Sequence, residues 1–300
     1  MENASDFNDS ADRILVGPAS EMLETLPSGS VQTAVTSPPY FGLRKYSEEY
    51  ESEIGRESSP EVYVSRLVKV MEEVGRVLKS DGTLWLNLGD TYVNGRLQGV
   101  PWRVALALQD AGWMLRSDVI WHKPNAMPSS VKNRPTTDHE YIFLLSRNKD
   151  YFYDADAIRE PHKTFSDESK MKGGRGHFGK AGGTPEAGKN AGQANLHRGR
   201  WDQAFHPLGR NKRTVWSVPL GKFRGAHFAV FPPALIEPCI LASSRPGDVV
   251  LDPFMGAGTT AVVAKELGRR YLGVELVPAY AQMAEQRIQE VHDQLEFESE

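Results

Sequence analysis

Cysteine is almost missing from this chain: Cys239 stands alone among 300 residues, which excludes an intramolecular disulfide and a zinc cluster built on several thiolates. No apolar run approaches the roughly 18 residues of a membrane span. Met1-Glu2-Asn3-Ala4-Ser5-Asp6 is polar and acidic, without the basic and apolar segments of a secretory signal. A cytoplasmic protein with no membrane partner is therefore expected. There is no internal repeat, and His122, His139 and His227 do not fall at metal-ligand spacing, so no metal site is assigned. Nor is there a strong overall charge. The net value is −4, with 40% hydrophobic and 25% charged residues, an ordinary balance for a globular protein that can bury one substantial core.

That small net charge hides a polarised distribution. Residues 159–213 carry 12 Lys/Arg and five Asp/Glu, so the segment is +7 and the remainder −11. A basic segment in an acidic protein is either a polyanion contact or a solvated loop. Nine of the 27 glycines lie between Gly173 and Gly199, and apolar residues are sparse there. Such a stretch cannot bury enough surface to offset its ordering entropy. It reads as an insertion between residues 1–158 and residues 214–300.

Outside the insertion, strand and helix patterns alternate. Strands are expected at Arg13 to Val16, Val31 to Thr36, Thr83 to Leu88, Met114 to Trp121, Tyr141 to Ser146, Val249 to Leu251 and Tyr271 to Leu276. The clearest helix has Ser59 as N-cap and Pro60 at its first position, followed by Val64, Leu67, Val68, Met71, Val74 and Leu78 at helical spacing. Asp81-Gly82 is expected to end it. Further helices are expected through Met22 and Leu26, around 101–111, from Thr259 to Leu267, and from Pro278 onward. This is an α/β pattern with a largely parallel sheet and, from the fourth and fifth strands, an antiparallel edge pair.

Two turns carry chemistry. In Asp252-Pro253-Phe254-Met255-Gly256-Ala257-Gly258-Thr259-Thr260, two glycines join a buried strand to a helix. Glycine allows the backbone to approach a ligand, and the helix start adds N–H donors. Glu275, at the end of the next strand, is placed to accept from both hydroxyls of a ribose. Thr259-Thr260 stand where a Walker loop carries lysine, which disfavours a nucleoside triphosphate. Acids at 252 and 275 suit a cationic nucleoside such as S-adenosyl-L-methionine better than a pyrophosphate, with a dinucleotide oxidoreductase as the alternative.

In Thr36-Ser37-Pro38-Pro39-Tyr40, two prolines end a strand in a rigid extended turn. The Ser37 hydroxyl and the Pro38 carbonyl can accept both protons of an exocyclic amine. That bends the amine out of conjugation and aims its lone pair at an electrophile. Tyr40 offers a stacking face worth about 1–3 kcal/mol, which offsets part of the few kcal/mol needed to unstack a base.

These residues resemble the amino-group DNA methyltransferases. Thr36 to Tyr40 looks like that family's catalytic tetrapeptide with its preceding residue, and Asp252 to Thr260 like its S-adenosyl-L-methionine loop. Similarity continues through Asn87 to Tyr92, Trp121 to Asn125, His139-Glu140-Tyr141 and His227 to Leu235. Having the catalytic motif first is the circularly permuted arrangement of the family's β group. The resemblance implies a Rossmann-like methyltransferase fold with a seven-stranded, mostly parallel sheet and an antiparallel edge hairpin. It implies catalytic Ser37, Pro38, Pro39 and Tyr40. The cofactor would be held by Asp252, Pro253, Phe254, Gly256, Gly258, Thr259, Thr260 and Glu275, and 159–213 would be the target-recognition region. Serine before Pro-Pro-Tyr is commoner in cytosine-N4 enzymes and aspartate in adenine-N6 enzymes, so N4 of cytosine is the expected target. Methylation of adenine-N6, of RNA or of a protein amide are the alternatives. Double-stranded DNA is the expected partner in a nucleoid-associated monomer or homodimer, with a cognate restriction endonuclease left open. One departure stands out: similar enzymes often carry Gly-Asp after the first strand, whereas Gly17-Pro18 stands here, and no cofactor role passes to Pro18.

Cys239 lies among Leu235, Ile236, Ile240 and Leu241 and reads as a buried apolar position, not as a nucleophile. Asp90 either lines the base pocket or caps the helix beyond it.

Overall fold

The computed structural model describes residues 11–42, 53–161, 208–221 and 231–299, with side chains to Val291. The chain divides into two units, one comprising Met1–Asp154 with Thr214–Glu300 and the other Ala155–Arg213.

The larger unit is an open sheet between two helical layers. Strands β1 (Arg13–Val16), β2 (Val31–Thr36), β3 (Leu78–Leu88), β6 (Met114–His122), β7 (His139–Ser146), β8 (Val215–Ser217), β9 (Val249–Asp252) and β10 (Arg270–Glu275) lie in the order β1-β10-β9-β2-β3-β7-β6-β8. The run from β1 to β3 is parallel, and β7 is antiparallel to both β3 and β6. All seven expected strands are present. The eighth, β8, adds itself to the outer edge beside β6 through three residues, too few for a period-2 pattern to announce it. A second departure lies at the start of β3. Helix α2 (Pro60–Val77) passes into strand at Leu78 with no connecting residue, so Asp81-Gly82 belongs to the strand and does not end the helix. Short strands β4 (Tyr92–Val93) and β5 (Arg96–Leu97) form a separate hairpin.

Alternation along the strands builds the two layers. Leu84, Leu86 and Leu88 of β3 and Val249 and Leu251 of β9 pack on one face with α1 (Ala19–Glu24), α2 and α3 (Val100–Asp110). Trp85 and Val250 point the other way, toward α4 (Pro233–Ser243), α5 (Thr259–Glu266) and α6 (Pro278–Ser299). Burial on both faces is what near-continuous apolar strands require. Ser59 caps α2, its Oγ accepting from Val62 N at 3.4 Å, and Cys239 lies buried on α4. Among the described residues no helix is long and apolar enough to cross a membrane.

Chain direction across the sheet reverses between β9 and β2: β9 leads through α5 to one side, β2 through α2 to the other. Ligands of open α/β sheets bind beyond the carboxyl ends of the strands at such a reversal. Those ends are Asp252 and Thr36, the residues that open the two chemical turns.

In the smaller unit, Glu160 and Arg210 form an antiparallel bridge with backbone bonds of 2.9 and 2.8 Å, and Arg210 Nη2 also reaches Glu160 Oε2 at 3.0 Å. A side chain at Gly209 would meet the Glu160 carbonyl at 2.3 Å, so glycine is what allows this staple. The recognition role expected for the insertion falls mainly on 162–207, outside the described residues.

Candidate active site

A cavity of about 740 Å³ opens at the reversal point, within the several-hundred-Å³ size of small-molecule sites. Ser37, Pro38, Pro39 and Tyr40 line it, as do Asp252, Pro253, Phe254, Gly256, Thr259 and Glu275. Gly258 and Thr260, expected to hold cofactor, are not among its lining residues. Each instead supports the turn.

Thr260 is fully buried, its hydroxyl donating to Asp252 Oδ2 at 2.7 Å. Asp252 Oδ1 accepts from the Thr36 hydroxyl at 2.6 Å and from Phe254 N at 3.0 Å. The carboxylate therefore fastens the end of β2, one residue before Ser37, to the first turn of α5. Burial raises its pKa to about 6, even though the bonds from Thr36, Thr260 and Phe254 favour the ionised form. At Gly258, φ is +80° and a side chain would meet Ala284 Cβ at 2.8 Å and its Cα at 3.0 Å. The close approach that the glycine permits here is that of α6. Gly256, at φ +52°, has only the Phe254 carbonyl oxygen near it, 3.9 Å from where a Cβ would stand, and donates its N–H to Glu275 Oε2 at 2.8 Å. Glu275 Oε1 accepts from Val277 N at 2.9 Å. A carboxylate offers about four lone-pair sites, so capacity for a further donor remains. Burial raises this carboxyl's pKa as well, with the bonds from Val277 and Gly256 opposing it. An acid facing the cavity, a backbone turn and an apolar wall at Phe254 are a donor set fitted to a ribosyl compound. Pro18 also lines the cavity, and it starts α1 without a side-chain cap.

Around Ser37 and Tyr40 the cavity is lined by a hydrogen-bonded chain. Ser37 Oγ donates to Tyr40 Oη at 3.2 Å, and Tyr40 Oη donates to Glu140 Oε2 at 2.6 Å. Asn87 Nδ2 lies 3.3 Å from Ser37 Oγ, 2.7 Å from Tyr40 Oη and 2.9 Å from Glu140 Oε2. Lys123 Nζ closes the chain on Glu140 Oε1 and sits 4.4 Å above the Trp121 ring. The Tyr63 hydroxyl donates to the Pro39 carbonyl at 2.9 Å, fixing the turn. A side chain at Gly89 would fall 2.6 Å from Tyr40 Cε2, so the glycine makes room for the ring. Burial, reinforced by the charge of Glu140, pushes the Tyr40 phenol well above its usual range.

Asn87, Lys123 and Glu140 are components that sequence reasoning passed over. Each stands in a stretch already noted for its resemblance, but nothing in local spacing brings positions 87, 123 and 140 together. Asp90 is a cap: its carboxylate accepts from the N–H groups of Thr91, Gly99 and Val100 at 2.8, 2.9 and 3.1 Å. Among the described residues no three His, Cys, Asp or Glu side chains gather as a metal site.

The two turns thus meet in one crevice at the reversal point of an α/β sheet, the place where such folds bind ligands. Comparison with known proteins narrows this. Residues 31–286 match the N6/N4 methyltransferase family, described as DNA methylase. The Type II methyltransferase M.Cfr9I of Citrobacter freundii is 42% identical over 302 residues, covering 91% of this chain and 86% of the relative. M.SmaI of Serratia marcescens is 41% identical, covering 92% and 90%. A DNA modification methylase of Thermus thermophilus, TTHA0409, solved in complex with S-adenosyl-L-methionine, superposes with a TM-score of 0.60 at 29% identity, covering 93% of each chain. The PvuII cytosine-N4-specific DNA methyltransferase shares the fold, with a TM-score of 0.64 at 19% identity over 93% of this chain and 90% of that one. The chain belongs to the N6/N4 family of DNA methylases. S-adenosyl-L-methionine is the methyl donor of this family.

Proposed function

We propose that the protein is a site-specific methyltransferase acting on the exocyclic N4 of cytosine in double-stranded DNA, with the target base turned out of the duplex. The observation that carries this reading is Ser37, a neutral hydroxyl and not an acid, at the head of Pro-Pro-Tyr and bonded toward Tyr40 at 3.2 Å. With its own proton committed to Tyr40 and one lone pair facing Asn87 Nδ2, the Ser37 oxygen presents its remaining lone pair to one amine proton, and the Pro38 carbonyl takes the other. The amine is thereby bent out of conjugation, and its lone pair turns toward the cofactor half of the cavity.

S-adenosyl-L-methionine, when bound, supplies a methyl group activated on a sulfonium. Glu275 receives the ribose hydroxyls on its remaining lone pairs, Gly256 lets the ligand approach the backbone, and Pro253, Phe254 and Thr259 wall the site. Tyr40 provides the face on which the base stacks, and the basic insertion 159–213 reads the recognition sequence. Rate enhancement comes from positioning and from charges already in place.

The test is to express the protein in cells free of amino-methylated DNA and digest that DNA to nucleosides. N4-methylcytosine is the expected product, and it disappears with Ser37→Ala. N6-methyladenine in its place would refute the cytosine reading. The same DNA, sequenced with methylation detection, gives the recognition site.

A further inference from the structure

Methyl transfer to an amino nitrogen leaves a proton to be disposed of, and the site holds a path for it. Donation along the chain runs one way: Ser37 Oγ to Tyr40 Oη, then Tyr40 Oη to Glu140 Oε2 at 2.6 Å. A proton reaching Ser37 Oγ can therefore displace the serine's own proton outward without either hydroxyl first turning. The chain ends at a carboxylate, the only member able to keep a proton. Asn87 Nδ2 lies within 3.3 Å of all three. Its amide has no labile acid to contribute and so holds them in line without joining the transfer. Glu140 is 14% exposed and its ion-pair partner Lys123 16%, so the far end has access to water while Asn87 is buried.

We propose that Ser37, Tyr40 and Glu140 form a relay that carries the amine proton out of the methyl-transfer site, with Glu140 as the acceptor. The inference rests on the amino-methylation reading above. Atoms and charges balance as follows. The nitrogen–methyl bond forms as the sulfur–methyl bond breaks, and sulfur keeps that electron pair, ending as a neutral thioether. The nitrogen, now one bond richer, sheds a proton to Ser37 Oγ. The serine proton passes to Tyr40 Oη, the tyrosine proton to Glu140 Oε2, and Glu140 later releases it to solvent. The Tyr40 phenol, held well above its usual range by burial and by Glu140, keeps its proton at rest and can serve only as a conduit. The charged or titratable groups facing Glu140 are Tyr40 from the turn after β2 and Lys123 from the end of β6, with neutral Asn87 from β3.

The test compares the full-length wild type with Glu140→Gln and Tyr40→Phe. Single-turnover incorporation of labelled methyl groups into unmethylated genomic DNA is followed across pH, alongside calorimetric binding of S-adenosyl-L-methionine. Glu140→Gln can still accept the Tyr40 hydrogen bond but cannot take a proton. The expected result is a rate constant lower by about a hundredfold, cofactor affinity within twofold of wild type, and loss of the wild type's decline toward acid pH. Tyr40→Phe keeps the ring and removes the conduit, so it should show the same fall, and it decides the matter if the glutamine variant does not bind cofactor. A glutamine variant that keeps both the wild-type rate and the acid decline would overturn the relay and leave Glu140 as a mere support for Tyr40. Digests of the same DNA separate the two readings. N6-methyladenine would refute cytosine as the target, while the ratio of variant to wild type still judges the relay, because either amine releases one proton.

Discussion

Asp252 should weaken the fold that it organises, and the size of the effect can be worked out. Its carboxyl is 1% exposed, and burial lifts its pKa from 3.8 to about 6. Between those values the unfolded chain has released a proton that the folded chain retains. Folding binds a proton there, so stability falls as pH rises through the window. Above about 6 the full cost applies. The shift of about 2 pH units, at 1.36 kcal/mol each, corresponds to roughly 3 kcal/mol. Asp252→Asn mimics the protonated form. Its amide oxygen can accept from Thr36 and Phe254, and its NH2 group can donate to the Thr260 hydroxyl, which is then free to donate to the Val35 carbonyl at 3.3 Å. The variant should match the wild type near pH 4 and exceed it by up to about 3 kcal/mol at pH 7. Thermal and urea unfolding of both proteins at several pH values would measure this. A stability difference that does not change with pH would refute the reasoning, because it would mean that the charge carries no burial cost.

Two other substitutions separate the roles of neighbouring residues. Gly258→Ala forces a side chain against the backbone of Ala284 at a left-handed φ, and should cost about 2–4 kcal/mol of stability; an unchanged melting temperature would mean that α6 yields freely. Glu275→Gln replaces one acceptor oxygen by a donor, so it loses a backbone bond and part of its capacity for ribose, and should weaken S-adenosyl-L-methionine binding by about 10- to 100-fold. Calorimetry reads this directly, and an unaltered dissociation constant would dismiss the ribose contact.

The fold was legible wherever burial is two-sided. Val249-Val250-Leu251 is apolar because helices cover both faces of the sheet, and in Val31 to Thr36 even the polar Gln32, Thr33 and Thr36 are buried. The misreading at Leu78 has a physical source, since that residue both continues the helical spacing after Val74 and begins the strand. β8 escaped notice because an outermost strand of three residues has one neighbour and no pattern. In the site, the two turns were legible as turns, but the division of labour inside them was not. Gly256 and Gly258 look equivalent in sequence, yet one faces a cavity and the other a helix. Glu140, Asn87 and Lys123 act through contacts across β7, β3 and β6, which strand order alone creates.

The bond from Thr36 to Asp252 spans 216 residues of chain at 2.6 Å, and it joins the floor of one half-site to that of the other. Fastened in this way, the two halves cannot part like the jaws of a hinge. Whatever mobility admits a ligand must belong to the rim. Neither half of the crevice therefore has to be built by what occupies the other.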